Sequence, residues 1–328
     1  MIINLSNSIT YSPIALFVYK RPEHTRRTLE SLMQCPEFVN SPLYIFCDGV
    51  KKEEDREKVM QTRDLVRSLV GTKAEIIEFS TNQGLAKSII SGVTRLCDKY
   101  QRVIVVEDDL VVAPEFLGYL NAALEKYQDE PSVMQVSGYM FPVPELANQT
   151  ESLFLPFTYS WGWGTWQRAW EKFDIQATGW EVLKIDKNMR LYFNLDDTCD
   201  FFDMLNRQMS GEINSWAIRW YWSVFKQNGY IVYPPISYVT NIGLDGSGTH
   251  GSWYVDRRLK QTIKPKYLSF IDLPNEIKIK QKNLDFVKKY MRTLQPKYIR
   301  LVKKIIKPSL ILLIRHQFLA IRDYLLQI

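Results

Sequence analysis

Residues 103–106 read Val-Ile-Val-Val and run into three consecutive acids, Glu107, Asp108 and Asp109. An apolar run of this length with β-branched side chains predicts a strand buried on both faces, which needs packed layers on either side of its sheet. Three carboxylates at the end of a buried strand repel one another unless a cation or hydrogen-bond donors offset them. Hard divalent ions take carboxylate oxygens, and Mg²⁺ or Mn²⁺ commonly joins such a carboxylate to substrate phosphates. The stretch therefore offers a metal–diphosphate site. Its other reading is an acidic loop that favours the dipole of a helix starting at Pro114, where the missing N–H costs nothing.

The preceding chain repeats one pattern. Residues 13–19 form an apolar run broken by Lys20-Arg21-Pro22, and a helix with Leu29, Leu32 and Met33 inside follows. Residues 43–47 predict a second strand ending at Asp48-Gly49, a turn pair. A charged amphipathic helix spans 53–70, a third strand 75–79, and a helix 85–100 follows the Asn82-Gln83-Gly84 turn. After the helix expected at 114–127, residues 133–137 give a fifth strand. Strands alternating with helices of this length imply βαβ units and a mostly parallel sheet, an α/β fold flanked by helices. Right-handed crossovers bring the carboxyl ends of parallel strands to one edge, where open α/β sheets bind ligands. Lys20, Arg21, Asp48, Asn82, Lys87 and the acid triplet all fall just past strand ends.

The chain of 328 residues has 46% apolar residues, enough for a large core. Its formal charge of +6 comes largely from the C-terminal part, so the first half shows no nucleic-acid footprint. The 4 cysteines form no CxxC pair and there are 3 histidines, which excludes a zinc pattern. Cys47 and Cys97 fall in apolar strand and helix contexts, as buried thiols do, and a reducing compartment fits. Residues 1–10 have neither a basic n-region nor an apolar run and do not read as a signal peptide. No Gly-rich loop follows the first strand; the GxGxxG match at 246–251 comes late, before Trp253 and Tyr254, and reads as a loop.

From 154 to 235 the periodicity weakens and aromatic residues accumulate. Tyr159-Ser-Trp-Gly-Trp-Gly-Thr-Trp166 sets glycines between indoles, which lets a ligand or a backbone approach the ring faces. Residues 215–222 look helical and hold Arg219 among aromatics, where a buried guanidinium calls for an anion, either a carboxylate or a phosphate. Beyond Pro265, a basic helix is expected at 278–292. Residues 296–328 set Lys297, Arg300, Lys303, Lys304, Lys307, Arg315 and Arg322 against one acid, Asp323, with apolar runs between. The run 310–314 is far short of the ~20 residues that span a bilayer. A basic amphipathic tail on an anionic membrane surface fits, with docking on the domain as the other reading. The division expected is 1–263 (a nucleotide-sugar half 1–145 and an acceptor half 146–263), then a basic helical tail 264–328.

These pieces resemble a GT-A-fold glycosyltransferase, in particular the N-acetylglucosaminyltransferase I family and its bacterial relatives in surface-polysaccharide synthesis. The resemblance covers residues 13–144 and is looser at Trp161-Gly-Trp163, 215–220 and 240–251. Its most specific part is Glu107-Asp-Asp-Leu followed by Ala113-Pro-Glu-Phe116. The resemblance implies a DxD-type motif in which Asp109 binds Mn²⁺ or Mg²⁺ and Asp108 stands beside it. It also implies that Arg21 meets the nucleotide, that Asp48 holds a uracil ring, that Lys87 lies near ribose and phosphates, and that the loop ending at His250 closes over the donor. The partners implied are a nucleotide-sugar donor, UDP-GlcNAc by default, and a glycan or lipid-linked acceptor, at the inner face of a bacterial cell membrane.

In that family the catalytic base follows a Trp. Here Ala217 follows Trp216 and cannot take a proton. Glu212 is the first substitute, Glu181 the second and Asp174 the third. Two further classes stay open: a sugar-phosphate nucleotidyltransferase, which would usually open with a Gly-rich phosphate loop, and a sugar-binding scaffold of the same fold that has lost its base.

Overall fold

The computed structural model describes residues 11–245 and 272–294. In chain order these carry β1 (Ile14–Val18), α1 (Pro22–Met33), β2 (Leu43–Cys47), α2 (Arg56–Val70), β3 (Ala74–Glu78), α3 (Leu85–Tyr100), β4 (Arg102–Glu107), β5 (Leu110–Val112) and α4 (Phe116–Lys126). There follow β6 (Val133–Ser137), β7 (Leu153–Leu155), β8 (Trp163–Trp166), α5 (Gln167–Trp170), α6 (Val182–Ile185), α7 (Lys187–Phe193), α8 (Phe201–Met209), α9 (Trp216–Lys226), β9 (Tyr230–Tyr233), β10 (Val239–Asn241) and α10 (Gln281–Leu294).

The main sheet has eight strands in the order β3-β2-β1-β4-β8-β6-β9-β7. β1, β2, β3 and β4 pair in parallel, as do β6 and β9, while β8 and β7 run the other way. The mostly parallel α/β sheet expected from the alternation is therefore present. All five residues of β1 and of β2 are buried, because helices cover both faces of this part of the sheet. α3 supplies one cover: Ala86, Ile89, Val93, Leu96 and Cys97 recur at helical spacing and face inward. Cys47 and Cys97 are both 1% exposed, as read from their contexts.

The segment after the acid triplet differs from expectation. Leu110 to Val112 form β5, which pairs antiparallel with β10 in a separate two-stranded sheet. Pro114 sits in the turn closed by Phe116 N–H on Ala113 O at 3.0 Å, and the helix starts only at Phe116. Pairing with β10 holds the backbone extended through Val112, so the helix cannot begin closer to the acids.

Helix α10, counted with the tail by the division at 263/264, packs on the main domain. It buries Leu284, Val287 and Met291, Lys288 pairs with Asp196 at 2.7 Å, and Tyr127 Oη donates to Pro274 O at 2.7 Å just ahead of it. The loop around His250 and the tail at 295–328 lie outside the described residues. No described helix is long and apolar enough to cross a membrane.

Candidate active site

Parallel pairing aligns the strand ends. Phe17 lies opposite Glu107, Val18 opposite Cys47, and Cys47 opposite Glu78. Arg21, Asp48, Asn82 and the acid triplet thus reach one edge of the sheet, as the sequence pattern required. Pro22 opens α1 with its fixed φ, which leaves Arg21 at the helix entrance.

Arg21 is the centre of the arrangement. Its Nη2 bonds to Asp108 Oδ1 and lies 3.0 Å from Asp109 Oδ2, and its Nε reaches Asp108 Oδ2 at 3.4 Å. Its Nη1 is buried and has no hydrogen-bond partner among the described residues. Thr28 Oγ1 donates to Asp108 O at 2.9 Å, and Ile242 N–H donates to Asp109 O at 2.8 Å, so both faces of the acid turn are tied down. Burial disfavours the Arg21 charge, but Asp108 and Asp109 outweigh it and hold the guanidinium protonated. Burial raises the Asp108 carboxyl against the opposing pull of Arg21. Burial, then the charges of Asp109 and Asp108, push Glu107 up to about 8.

The β5–β10 pair brings Gly243 against this cluster. A Cβ at Gly243 would overlap the Asp109 carboxylate and lie 2.9 Å from Arg21 Nη1, so any larger residue there would displace the ion pair. His24 Nε2 on α1 lies 3.1 Å from Asp245 Oδ2 and ties the same segment down. The resemblance places Gly243 and Asp245 in the closing loop, but the pairing of β10 with β5 that carries them to the acids is not legible in the sequence, because a three-residue strand shows no period.

Asp48 is used differently from the expectation of a free base acceptor. It is 8% exposed. Its Oδ1 accepts from the N–H groups of Gly49 (2.8 Å) and Gln83 (2.7 Å), and its Oδ2 from Gly84 N–H (3.0 Å) and Asn82 Nδ2 (3.0 Å). A carboxylate has about four acceptor positions, and protein donors fill them here. Its visible work is to fix the turn that launches α3. Lys87, in the first turn of α3, is exposed.

Among the described residues no three His, Cys, Asp or Glu side chains converge as a metal cage. A Mg²⁺- or Mn²⁺-type site does not need one, since such ions take one or two carboxylates and complete their shell with water and substrate phosphate oxygens. Asp109, only 3.0 Å from a guanidinium whose other amino group is unpartnered, fits that pattern. The donor set suits a cation and a diphosphate side by side.

The three base candidates separate in space. β6 runs parallel to β4 because both pair antiparallel with β8. α9 begins at Trp216, which stacks on Trp163, the partner of Val105 near the end of β4. After α9 the chain turns into Tyr230, which pairs with Val133 at the start of β6. The N-terminus of α9 is thus at the acid edge and its C-terminus at the opposite one. Asp174 pairs with Lys226 at 2.9 Å and caps Gln176 and Thr178 N–H, so it stands at the far end in a structural role. Val182 and Lys226 line one groove, which puts neighbouring Glu181 at that end too. Their assignment as bases is corrected on this ground. Glu212, three residues ahead of the Ser215 cap, is the one of the three that chain connectivity puts toward the end of α9 nearer the acids. It is exposed, 3.2 Å from Arg207 Nε and 3.0 Å from Ser210 Oγ.

Arg219 meets no carboxylate among the described residues. Its guanidinium donates to the carbonyls of Ser215 (3.1 Å) and Ile175 (3.3 Å) and to Asn214 Oδ1 (3.4 Å), and burial lowers its pKa. Most of the tryptophans fill the core: Trp163 stacks on Trp216 at 5.2 Å, and Trp170 packs on Trp220 at 5.1 Å.

No protein-family model matches the chain, and no curated protein matches it. Among solved structures, GalNAc-T7 with UDP, GalNAc and Mn²⁺ is 12% identical over 72% of this chain and 44% of its own, with a TM-score of 0.45. TarS 1-349 of S. aureus is 12% identical over 71% of this chain and 61% of its own, with a TM-score of 0.39. A Pyrobaculum calidifontis mannosyltransferase in complex with GDP-Man and Mn²⁺ is 13% identical over 48% and 45%, with a TM-score of 0.33. This chain spans less than two thirds of the length of each of the three. Likenesses this distant say nothing of substrate.

Proposed function

We propose that the chain is a metal-dependent glycosyltransferase that takes a sugar from a nucleotide diphosphate. The observation that carries this reading is the unpartnered Nη1 of Arg21, buried beside the Asp108–Asp109 pair at the carboxyl edge of a parallel sheet. An unpaired guanidinium N–H next to a carboxylate suited to a hard cation matches a diphosphate, which needs both.

In this reading Asp109 holds the divalent ion, which supplies positive charge to the departing diphosphate when bound. Arg21 donates to a phosphate oxygen through Nη1 and keeps Asp108 and Asp109 in place through Nη2 and Nε. The acceptor hydroxyl oxygen forms a bond to the anomeric carbon while the bond from that carbon to the diphosphate oxygen breaks. The electron pair leaves with the diphosphate, and the hydroxyl proton passes to a carboxylate, Glu212 in this proposal. The donor is a UDP-sugar, UDP-GlcNAc by resemblance, and the acceptor a glycan or lipid-linked glycan of a bacterial surface polymer.

A thermal-shift panel of UDP-, GDP- and CDP-sugars with and without Mn²⁺ tests this, because a ligand that binds only the folded state raises its stability. The expected result is stabilisation by UDP-sugars in Mn²⁺ alone. No shift with any nucleotide sugar in Mn²⁺ would remove the reading. Release of pyrophosphate from a nucleoside triphosphate would identify a nucleotidyltransferase instead.

We read the 296–328 tail as a peripheral anchor on the inner leaflet, each Lys or Arg near the anionic surface adding about 1 kcal/mol. Co-sedimentation of the full chain with anionic vesicles, lost at high salt, is the expected outcome. Its absence at low salt would favour docking on the domain.

A further inference from the structure

Two loops rich in aromatic residues meet at the acid edge. Tyr139 and Phe141 follow β6, and Tyr159 and Trp161 precede β8. Gly138 N–H donates to Gly162 O at 2.7 Å and holds the loops together. Tyr139 and Tyr159 stack at 4.7 Å, Trp161 stands edge-on to both at 4.7 and 5.2 Å, and Phe141 meets Tyr159 edge-on at 5.1 Å. Tyr139 and Phe141 are 0% and 3% exposed, whereas Tyr159 and Trp161 remain partly open to solvent.

The outer rings are held in place. Gln135 on β6 donates through Nε2 to Tyr159 O at 2.8 Å and accepts from Trp220 Nε1 at 2.7 Å, which fixes the loop to both sheet and α9. A chain of contacts links their loop to the acids. Gly162, at φ +63°, is so near β10 that a Cβ there would be 2.9 Å from Val239 Cγ2. Val239 pairs with Val112, and Ile242 on the same segment bonds to Asp109 O.

We propose that Tyr159 and Trp161 form the stacking platform for a pyranose ring of the acceptor, an inference that rests on the transferase reading. The face of an aromatic ring is electron-rich, and the C–H groups on one face of a pyranose are polarised to meet it. The strand order decides donor from acceptor. Arg21 and Asp48 follow β1 and β2, on one side of β4, while the rings flank β8 and β6 on the other. Nucleotide and platform therefore face each other across Asp109, as donor and acceptor do in a direct transfer.

The test is saturation-transfer NMR on the full chain with UDP and Mg²⁺, using methyl glycosides of glucose, galactose, mannose and N-acetylglucosamine as probes. At least one glycoside is expected to show saturation concentrated on its ring C–H protons. Trp161→Leu should reduce that signal at least fivefold while UDP affinity stays within twofold of the parent. Tyr159→Leu is a second variant, and far-UV circular dichroism checks that each is folded. Undiminished saturation in both variants overturns the platform, as does no saturation of any glycoside with UDP bound. A joint loss of UDP affinity assigns the rings to the donor and also overturns the proposal. Failure of the parent to bind any of UDP, GDP or CDP overturns the transferase reading and the platform with it.

Discussion

Arg21 Nη2 lies 3.0 Å from Asp109 Oδ2 while also bonding Asp108, so one guanidinium group bridges two acids that the sequence sets side by side and offsets one of their two negative charges. Asp109 is then positioned before any cation arrives. Asp109→Ala should reduce UDP affinity in Mn²⁺ to its metal-free level and leave the fold intact, as titration calorimetry with and without EDTA would read. Equal Mn²⁺-dependent affinity in variant and parent would move the ion elsewhere.

Glu107 gives a pH signature. Burial first, then Asp109 and Asp108, push its folded pKa up to about 8. The unfolded carboxyl titrates near about 4.3. A carboxyl raised on folding contributes stability that is complete below the unfolded pKa and is lost as pH rises through the folded one. The melting temperature of the metal-free parent should therefore fall between about pH 5 and 8 more steeply than that of Glu107→Gln. Parallel profiles in differential scanning calorimetry would contradict the raised pKa.

Asp48 should act through folding. Hydrogen bonds to a charged group are worth roughly 1.5–3 kcal/mol each, and four donors converge on this carboxylate without adding independently. Asp48→Ala is expected to cost about 2–4 kcal/mol in urea unfolding. A variant of parental stability that no longer binds UDP would instead mean that the carboxylate meets the base directly.

Glu212 carries the proposed proton transfer. Glu212→Gln should retain UDP binding and lose turnover on the order of 10²-fold or more. Asp174→Asn and Glu181→Gln, at the far end of α9, should keep near-parental turnover. A fully active Glu212→Gln enzyme removes Glu212 from the mechanism.

Much of the fold is legible in residues 13–137, because β1, β2, β6 and the middle of β4 are buried on both faces and each long helix carries one apolar stripe; only β3, at the sheet edge, has no buried residue among the parallel strands there. The boundaries of α3, Leu85–Tyr100, follow from the Asn-Gln-Gly turn before it and the spacing of Ile89, Val93, Leu96 and Cys97. Arg21 and the acid triplet follow from the same regularity, since parallel pairing puts whatever ends a strand at one edge. Only the tertiary structure decided the rest. The insertion of β8 between β4 and β6 and the β5–β10 cover depend on pairing between segments far apart, which no local period reports. The roles of Asp48, Asp174 and Glu181 depend on the same distance: Asp48 spends its lone pairs on donors up to 36 residues away, and α9 turns an acceptable acid at 174 away from the site. A sequence sets which side chains carry charge and which must be buried. Which charges meet is decided by the chain's path between them.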